Sequence, residues 1–500
     1  MKQFEKIFEL LGMNSRNGLY LTAENNWKGM LPTRIEWLLK EKLQPAAFFC
    51  VDKKPMVLFY NSPPNKEHLF RAIWNFNDSP VVIINEPDVV EIFNGFSYLK
   101  DKKTLDKLED ESSLNAFSYF ELVTGKTWQN YENKLKYQNR ADYHLLKNIK
   151  DTRDKLISDY CMDSFISNAF IGKCIFIRYL IDREVRINFD GKLRTWTNDD
   201  LCELLNHKNK TIQFLNYLKD RFNGEAFLLS DSHLNKIPKE AFVVLSSLMR
   251  GDEIASGQMS LFDVYDFSII PVEFISNVYE HFIGSENQAT KGAYYTPLFL
   301  VDYIIAETVE KYFSENPKEY SCKVLDPACG SGIFLVEALR RMIERYKEIK
   351  KTTSIKTKRL KDILRELAEE NIFGIDKDQN AINVALFSVY LALLDYQEPK
   401  DIENFKFPKL IGKNFFIEDF FDSKAEFNKT INQIIFTFIL GNPPWKRGSD
   451  SSALFIKYII TRNFPLSHSL SIFSAATRGG LHLSNNIFYI SDSAGSRICF

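Results

Sequence analysis

The chain has 500 residues, 45% of them hydrophobic, with 64 Lys and Arg against 65 Asp and Glu for a formal net charge of −1. That length exceeds one ordinary domain and the apolar fraction suits several buried cores, so two or three domains are expected. Near-neutrality excludes the global basic field by which small nucleic-acid-binding proteins hold phosphates; any contact with a polyanion has to come from a local cleft.

Residues 1–130 alternate helical and strand-like segments: Pro32 to Leu43 reads as a helix, and Ala46 to Val51, Met56 to Tyr60 and Val81 to Ile84 read as strands. A small α/β domain is expected there. Pro87-Asp88 with Asp101-Lys102-Lys103 can be forced onto a metal-nuclease pattern, but the second half reads as a charged loop, so this domain is expected to be nuclease-like or degenerate. From 131 to 265 the chain reads as a helical connector, clearest at Tyr143 to Ile181, Asn198 to Leu205 and Thr211 to Phe222. The apolar stretch Phe267 to Ile275 opens a third unit, 266–500.

In that unit, Lys291-Gly292-Ala293-Tyr294-Tyr295-Thr296-Pro297 leads into the apolar run Leu298 to Ile305. Thr296 suits a helix cap and Pro297 the first turn, and a helix start offers unpaired N–H groups to a carboxylate. Taken alone, this piece is better explained as an ordinary capped helix. Next, Val324-Leu325 reads as the end of a buried strand, Asp326-Pro327-Ala328-Cys329-Gly330-Ser331-Gly332 as a glycine turn, and Ile333 onward as a helix with Phe334, Leu335, Ala338, Leu339, Met342 and Ile343 on one side. Such a turn places ligands at the carboxyl end of a parallel strand in a doubly wound sheet. Arg340 to Glu370 reads as a charged helical insertion with a solvated face. Asp376 ends the short apolar segment Ile372 to Ile375, where a carboxylate can accept from two ribose hydroxyls.

The last motif is Asn442-Pro443-Pro444-Trp445, entered from the apolar run Ile434 to Leu440. Two prolines fix φ and remove two donors, so the corner presents carbonyl oxygens without competing N–H groups. The Asn442 side-chain carbonyl and the Pro443 backbone carbonyl can both accept from one NH2, which localises the nitrogen lone pair for attack on an electrophilic methyl. Trp445 offers a flat face for a planar ring. A Pro-stiffened strand end with a packed Trp is the plainer account.

The ordered set Tyr-Thr-Pro, Asp-Pro-Ala-Cys-Gly-Ser-Gly, Gly-Ile-Asp and Asn-Pro-Pro-Trp resembles the S-adenosylmethionine-dependent DNA adenine-N6 methyltransferases, and within them the methylase module of type II restriction-modification polypeptides. The resemblance covers roughly residues 275 to 446. It implies a Rossmann-like methyltransferase sheet, S-adenosyl-L-methionine as cofactor, and double-stranded DNA with a flipped adenine as substrate. It sets Tyr295, Thr296, Asp326, Ala328, Gly330 and Gly332 around the cofactor, Asp376 on its ribose, and Asn442, Pro443, Pro444 and Trp445 on the target. The family's acid-aromatic pair for the cofactor adenine is assigned to Asp419-Phe420, with Asn414-Phe415 as competitor.

Only 55 residues follow Trp445, and Ser451 to Phe500 hold five charged residues, Lys457, Arg462, Arg478, Asp492 and Arg497. The sheet is therefore expected to be short at its carboxyl end, through a truncated or frameshifted product or a divergent end completed by a separate specificity or restriction subunit. A non-catalytic remnant and an RNA or protein-glutamine methyltransferase stay open as alternatives. The seven cysteines show no Cys-x-x-Cys pair or zinc spacing, so no metal is expected and a reducing cytoplasm fits. No run approaches the ~20 apolar residues of a membrane span, and no membrane partner is expected.

Overall fold

The computed structural model describes residues 2–222, 229–260, 263–270, 274, 296, 298–352, 359–442, 455, 458–459, 466–472, 489–491 and 497–499. The first sheet runs in chain order through β1 (Leu19–Leu21), β2 (Ala47–Val51), β3 (Lys54–Asn61), β4 (Val81–Asn85), β5 (Val90–Leu99) and β6 (Thr104–Asp110). Only β3 and β4 pair in parallel, and the helix Lys66–Phe76 makes the crossover between them. The period-2 alternation of the strands sorts their side chains. Phe48, Leu58, Tyr60, Val82 and Ile84 enter one core, whereas Phe49, Val57, Phe59, Val81 and Ile83 enter another that the helix Lys2–Leu11 covers.

Asp88 lies in the turn before β5 and Asp101 in the turn after it. Ten strand residues, roughly 30 Å, separate them. They cannot share an ion, so the nuclease-like pattern is corrected to two unrelated turns.

The helix foreseen from Tyr143 to Ile181 is two, Ala141–Ser158 and Ser164–Asp182. The break falls where Cys161 takes a φ of 51° and Asp163 caps the second helix by accepting from Ile166 N at 3.1 Å. Ser164–Asp182 corrects a second expectation: with 19 residues it is long and apolar enough to cross a membrane, but 78% of its apolar window is buried inside the protein. The connector continues through the hairpin β7 (Ile187–Phe189) and β8 (Lys192–Arg194), then the helices Asn198–Leu205, Lys208–Phe222 and Lys239–Arg250.

The second sheet has seven strands: β9 (Val324–Asp326), β10 (Ile372–Asp376), β11 (Phe415–Ile417), β12 (Phe436–Gly441), β13 (Leu466–Ile472), β14 (Tyr489–Ser491) and β15 (Arg497–Cys499). Their order is β11-β10-β9-β12-β13-β15-β14, and every neighbouring pair is parallel except β14 with β15. The chain steps outward from β9 to β11, returns to the other side of β9 as β12, steps out to β13 and on to the edge strand β14, and comes back as β15 between those two. The reversal at β9 makes a topological switch point between β9 and β12, where open α/β sheets leave a crevice at the carboxyl ends of their strands. β13, β15 and β14 come from the tail after Trp445 and carry the sheet three strands beyond β12, where a sheet short at its carboxyl end was expected.

The charged segment from Arg340 to Glu370 is helical, within Ile333–Thr352 and Leu360–Asn371. It is not wholly a solvated face. Arg340 reaches Asp395 at 3.2 Å, and Arg341 meets Asp302 at 3.3 Å, Glu310 at 2.5 Å and Glu337 at 3.5 Å. Burial pushes the Glu337 carboxyl up to about 7, opposed by the Arg341 guanidinium. The three segments of the chain also interlock. Thr33 Oγ1 donates to Glu344 at 2.6 Å, Tyr179 Oη donates to Asp395 at 2.7 Å, and one continuous core runs from Trp27 to Leu440.

Candidate active site at the switch point

The two glycines of the turn after β9 serve different needs. Gly330 has a φ of 51° and a Cβ there would meet nothing, so its backbone lies open for close approach. Gly332 has a φ of 79°, and a Cβ would stand 2.8 Å from Ala385 Cβ on the helix Gln379–Asp395. It lets that helix close on the turn. Gly332→Ala should therefore cost about 2 to 5 kcal/mol in urea unfolding, from left-handed strain plus overpacking. Gly330→Ala, which carries only the strain, should cost less; equal losses would contradict this division.

Asp326 ends β9 and is 1% exposed. Burial pushes its carboxyl up to about 8, against the Ala328 N–H that donates to Oδ1 at 3.1 Å and with the help of the nearby Asp376 charge. Asp376 ends β10 and reaches back: its Oδ2 accepts from Gly330 N at 3.0 Å, and its Oδ1 accepts from Asp378 N at 2.8 Å. Ala328 is half-buried between them, and Cys329 is held below by its N–H to Ile375 O at 2.9 Å.

The strand β11 separates the two acid-aromatic candidates. Asn414 precedes it, at the end away from the crevice, and its Nδ2 is occupied by Glu369 O and Ile372 O, both at 2.9 Å. Asp419 follows β11, beside the end of β10, because Ile417 is in register with Asp376. Desolvation opposes its ionisation, but Lys377 at 2.8 Å and the Phe421 N–H hold the carboxyl below its ordinary value. Phe420 is buried and stacks on Phe455 at 5.5 Å with planes 4° apart.

On the other side of the switch point, β12 ends at Gly441, where a Cβ would lie 2.7 Å from Asp326 Oδ1. A side chain there would push the Asp326 carboxyl aside, so glycine leaves that carboxyl room beside the end of β12. The next residue, Asn442, donates from Nδ2 to Thr296 Oγ1 at 2.9 Å, while its Oδ1 is buried without a hydrogen-bond partner among the described residues. Thr296 is 6% exposed and leads into the helix Leu298–Ile305, which Arg341 ties to the helix after the glycine turn through Asp302. Asp326, Gly330, Asp376, Gly441, Asn442 and Thr296 thus form one linked cluster. Tyr295, Pro443, Pro444 and Trp445 lie outside the described residues.

Sequence reasoning missed two features. The Thr296–Asn442 contact joins residues 146 apart and has no local signal. Glu337 had one: it is an acid on the otherwise apolar face of the helix that carries Phe334, Leu335 and Ala338.

A glycine turn, a buried acid and a facing amide lie together at the switch point of a parallel sheet, where α/β proteins bind their ligands. Residues 272–454 match the model of the N-6 DNA methylase family. The chain is 24% identical to the type II restriction enzyme and methyltransferase RM.Eco57I of Escherichia coli over 365 residues, covering 64% of this chain and 35% of that protein. It is also 24% identical to the putative type II restriction enzyme and methyltransferase RM.MjaORFECS2P of Methanocaldococcus jannaschii over 413 residues, covering 68% of this chain and 32% of that protein. Among solved structures, that of the Type IIL restriction-modification enzyme MmeI in complex with DNA aligns at a TM-score of 0.39 and 15% identity, over 60% of this chain and 43% of that one. The chain spans about a third of the length of the two curated relatives.

Proposed function

We propose that this chain transfers a methyl group from S-adenosyl-L-methionine to the N6 amine of adenine in double-stranded DNA, as the site-specific modification activity of a restriction-modification system. One observation carries the proposal: Asn442 Oδ1 at the end of β12, buried and without a partner among the described residues, next to Gly441, which packs against the acid that ends β9. A buried acceptor without a donor costs about 1–3 kcal/mol, which an incoming amine would recover.

The residues fit the cofactor. The open backbone at Gly330 and the buried acid Asp326 make a cradle in which a cationic nucleoside would replace lost solvation. Tyr295, Thr296, Asp326, Ala328, Gly330 and Gly332 would hold its amino-acid end, Asp376 its ribose, and Asp419 with Phe420 its adenine. When bound, the cofactor supplies an electrophilic methyl on a sulfonium.

The chain's own part is orientation. Asn442 Oδ1 and the Pro443 carbonyl accept both hydrogens of the target NH2 and aim its lone pair; Trp445 stacks on the ring. A base inside a duplex cannot reach a crevice at strand ends, so the adenine must be flipped out. With the amine so aimed, the cofactor would supply its methyl to the nitrogen, the S–C bond being exchanged for a C–N bond, and the extra amine proton would pass to solvent. The setting is the reducing cytoplasm, and a separate specificity or restriction subunit is the further partner.

The test combines calorimetry with S-adenosyl-L-methionine and a tritiated-methyl assay on genomic DNA, RNA and protein. Label recovered as N6-methyladenine in DNA is expected. Label in RNA or in protein glutamine would move the substrate class, and cofactor binding with no label in any acceptor would leave a non-catalytic binder.

A further inference from the structure

We propose that Thr296 is a positioning residue that sets which end of the Asn442 amide faces the crevice. The inference deepens the methyl-transfer reading and rests on it. A carboxamide has two ends of nearly equal shape and opposite hydrogen-bonding sense. Turned one way, Asn442 offers an acceptor to the target amine; turned the other, it offers two N–H donors against two N–H donors and cannot hold the substrate. The observed arrangement is the first: Nδ2 donates to Thr296 Oγ1 at 2.9 Å, and Oδ1 is the buried atom left over.

Among the described residues, Thr296 Oγ1 is the side-chain group that engages the Asn442 amide. Its place is built from outside the catalytic corner. Thr296 sits 6% exposed before the helix Leu298–Ile305, whose Val301 and Ile305 are fully buried, and Arg341 clamps that helix through Asp302 at 3.3 Å. A hydroxyl can serve either end of an amide, so the sense depends on where its own proton goes. When an anionic group at this helix start accepts that proton, Oγ1 is left as an acceptor only, and Asn442 must give it Nδ2. Occupation of the helix start thereby orders the amide before the target amine arrives.

Thr296→Val keeps the shape and removes the hydroxyl. Its expected result, at saturating S-adenosyl-L-methionine, is a 10- to 100-fold fall in kcat with KM for DNA within about threefold of the parent. Thr296→Ser should restore kcat to within about threefold. If Thr296→Val leaves kcat at saturating cofactor unchanged, or if serine fails to rescue, Thr296 does not position Asn442. A cycle of melting temperatures over the parent, Thr296→Val, Asn442→Ala and the double variant reads the contact without any turnover. The second substitution should add less than its separate effect once the first is present, and strictly additive shifts overturn the proposal. The cycle can succeed where methyl transfer is absent, so its failure and the failure of the methyl-transfer reading are told apart.

Discussion

Asn442→Ala is expected to lower methyl transfer by roughly 10²- to 10³-fold while leaving the Kd for S-adenosyl-L-methionine within a few fold, the loss usual when one preorganised polar group facing the reacting atoms is removed. The separation of the two effects follows from topology. Asn442 stands after β12, whereas the glycine turn, Asp326 and Asp376 belong to β9 and β10. Removing the amide abolishes an acceptor and leaves that cradle intact. Stability should fall modestly, because the variant removes the Nδ2 donor from Thr296 Oγ1, a loss partly offset by removal of a buried oxygen that has no donor among the described residues. Asn442→Asp gives a second reading. It keeps oxygens at the site, but it removes the Nδ2 donor from Thr296 and adds a carboxyl near the buried Asp326, so it should lose transfer and destabilise the fold together. Single-turnover methylation on DNA, with calorimetry alongside, checks both variants. Transfer by Asn442→Ala at the parental rate would remove Asn442 from the reaction.

Much of the architecture could be read from local pattern because its causes are local. Continuous apolar runs in Ala47–Val51 and Val81–Asn85 mark strands with two buried faces, and Gly332 is followed by a helix because its left-handed φ closes the turn. The failures share a different cause. Cys161 breaks a helix whose apolar periodicity continues on both sides, so the break has no signature in the pattern of burial. The strand at Leu466–Ile472 does alternate, with serine at every second place between Leu466, His468, Leu470 and Ile472, but the crowd of serines around it reads as a change of composition rather than as a strand. Asp88 and Asp101 look like neighbours in a motif because sequence spacing does not record that a whole strand runs between them. Within the site, strand ends were legible but contacts between them were not. Asn414 and Asp419 are equivalent as acids or amides beside a phenylalanine, and only their positions before and after β11 distinguish them. The need for glycine at 441 is a property of the packing of β12 against β9, and nothing within β12 itself requires it.

Asp326→Asn should stabilise the cofactor-free protein, by an amount that depends on pH in a definite direction. In the unfolded chain Asp326 ionises near its ordinary 3.8, whereas burial in the folded chain holds its proton to about 8. Between those values the native state binds more protons than the unfolded state, so this group lowers stability as pH rises, by about 1.4 kcal/mol per pH unit. The penalty is absent below pH 4, grows through neutrality, and is complete above pH 8. Asparagine has no proton to lose. Its Oδ1 can keep the Ala328 N–H, so its advantage over the parent should be near zero at pH 4, about 4 kcal/mol at pH 7, and level above pH 8. Urea midpoints for both proteins at pH 5, 6, 7 and 8 measure the difference, and a gain that does not change with pH would mean that Asp326 is ionised in the fold throughout. On the proposed function the same substitution should weaken binding of a cationic cofactor, because the destabilising acid is the group that would become a carboxylate beside it. The parent should then release a proton on binding at pH 7, seen as a heat that varies with the ionisation enthalpy of the buffer, and Asp326→Asn should not. A stability penalty carried by the empty crevice and removed by its ligand is the relation expected where burial serves binding at the expense of stability.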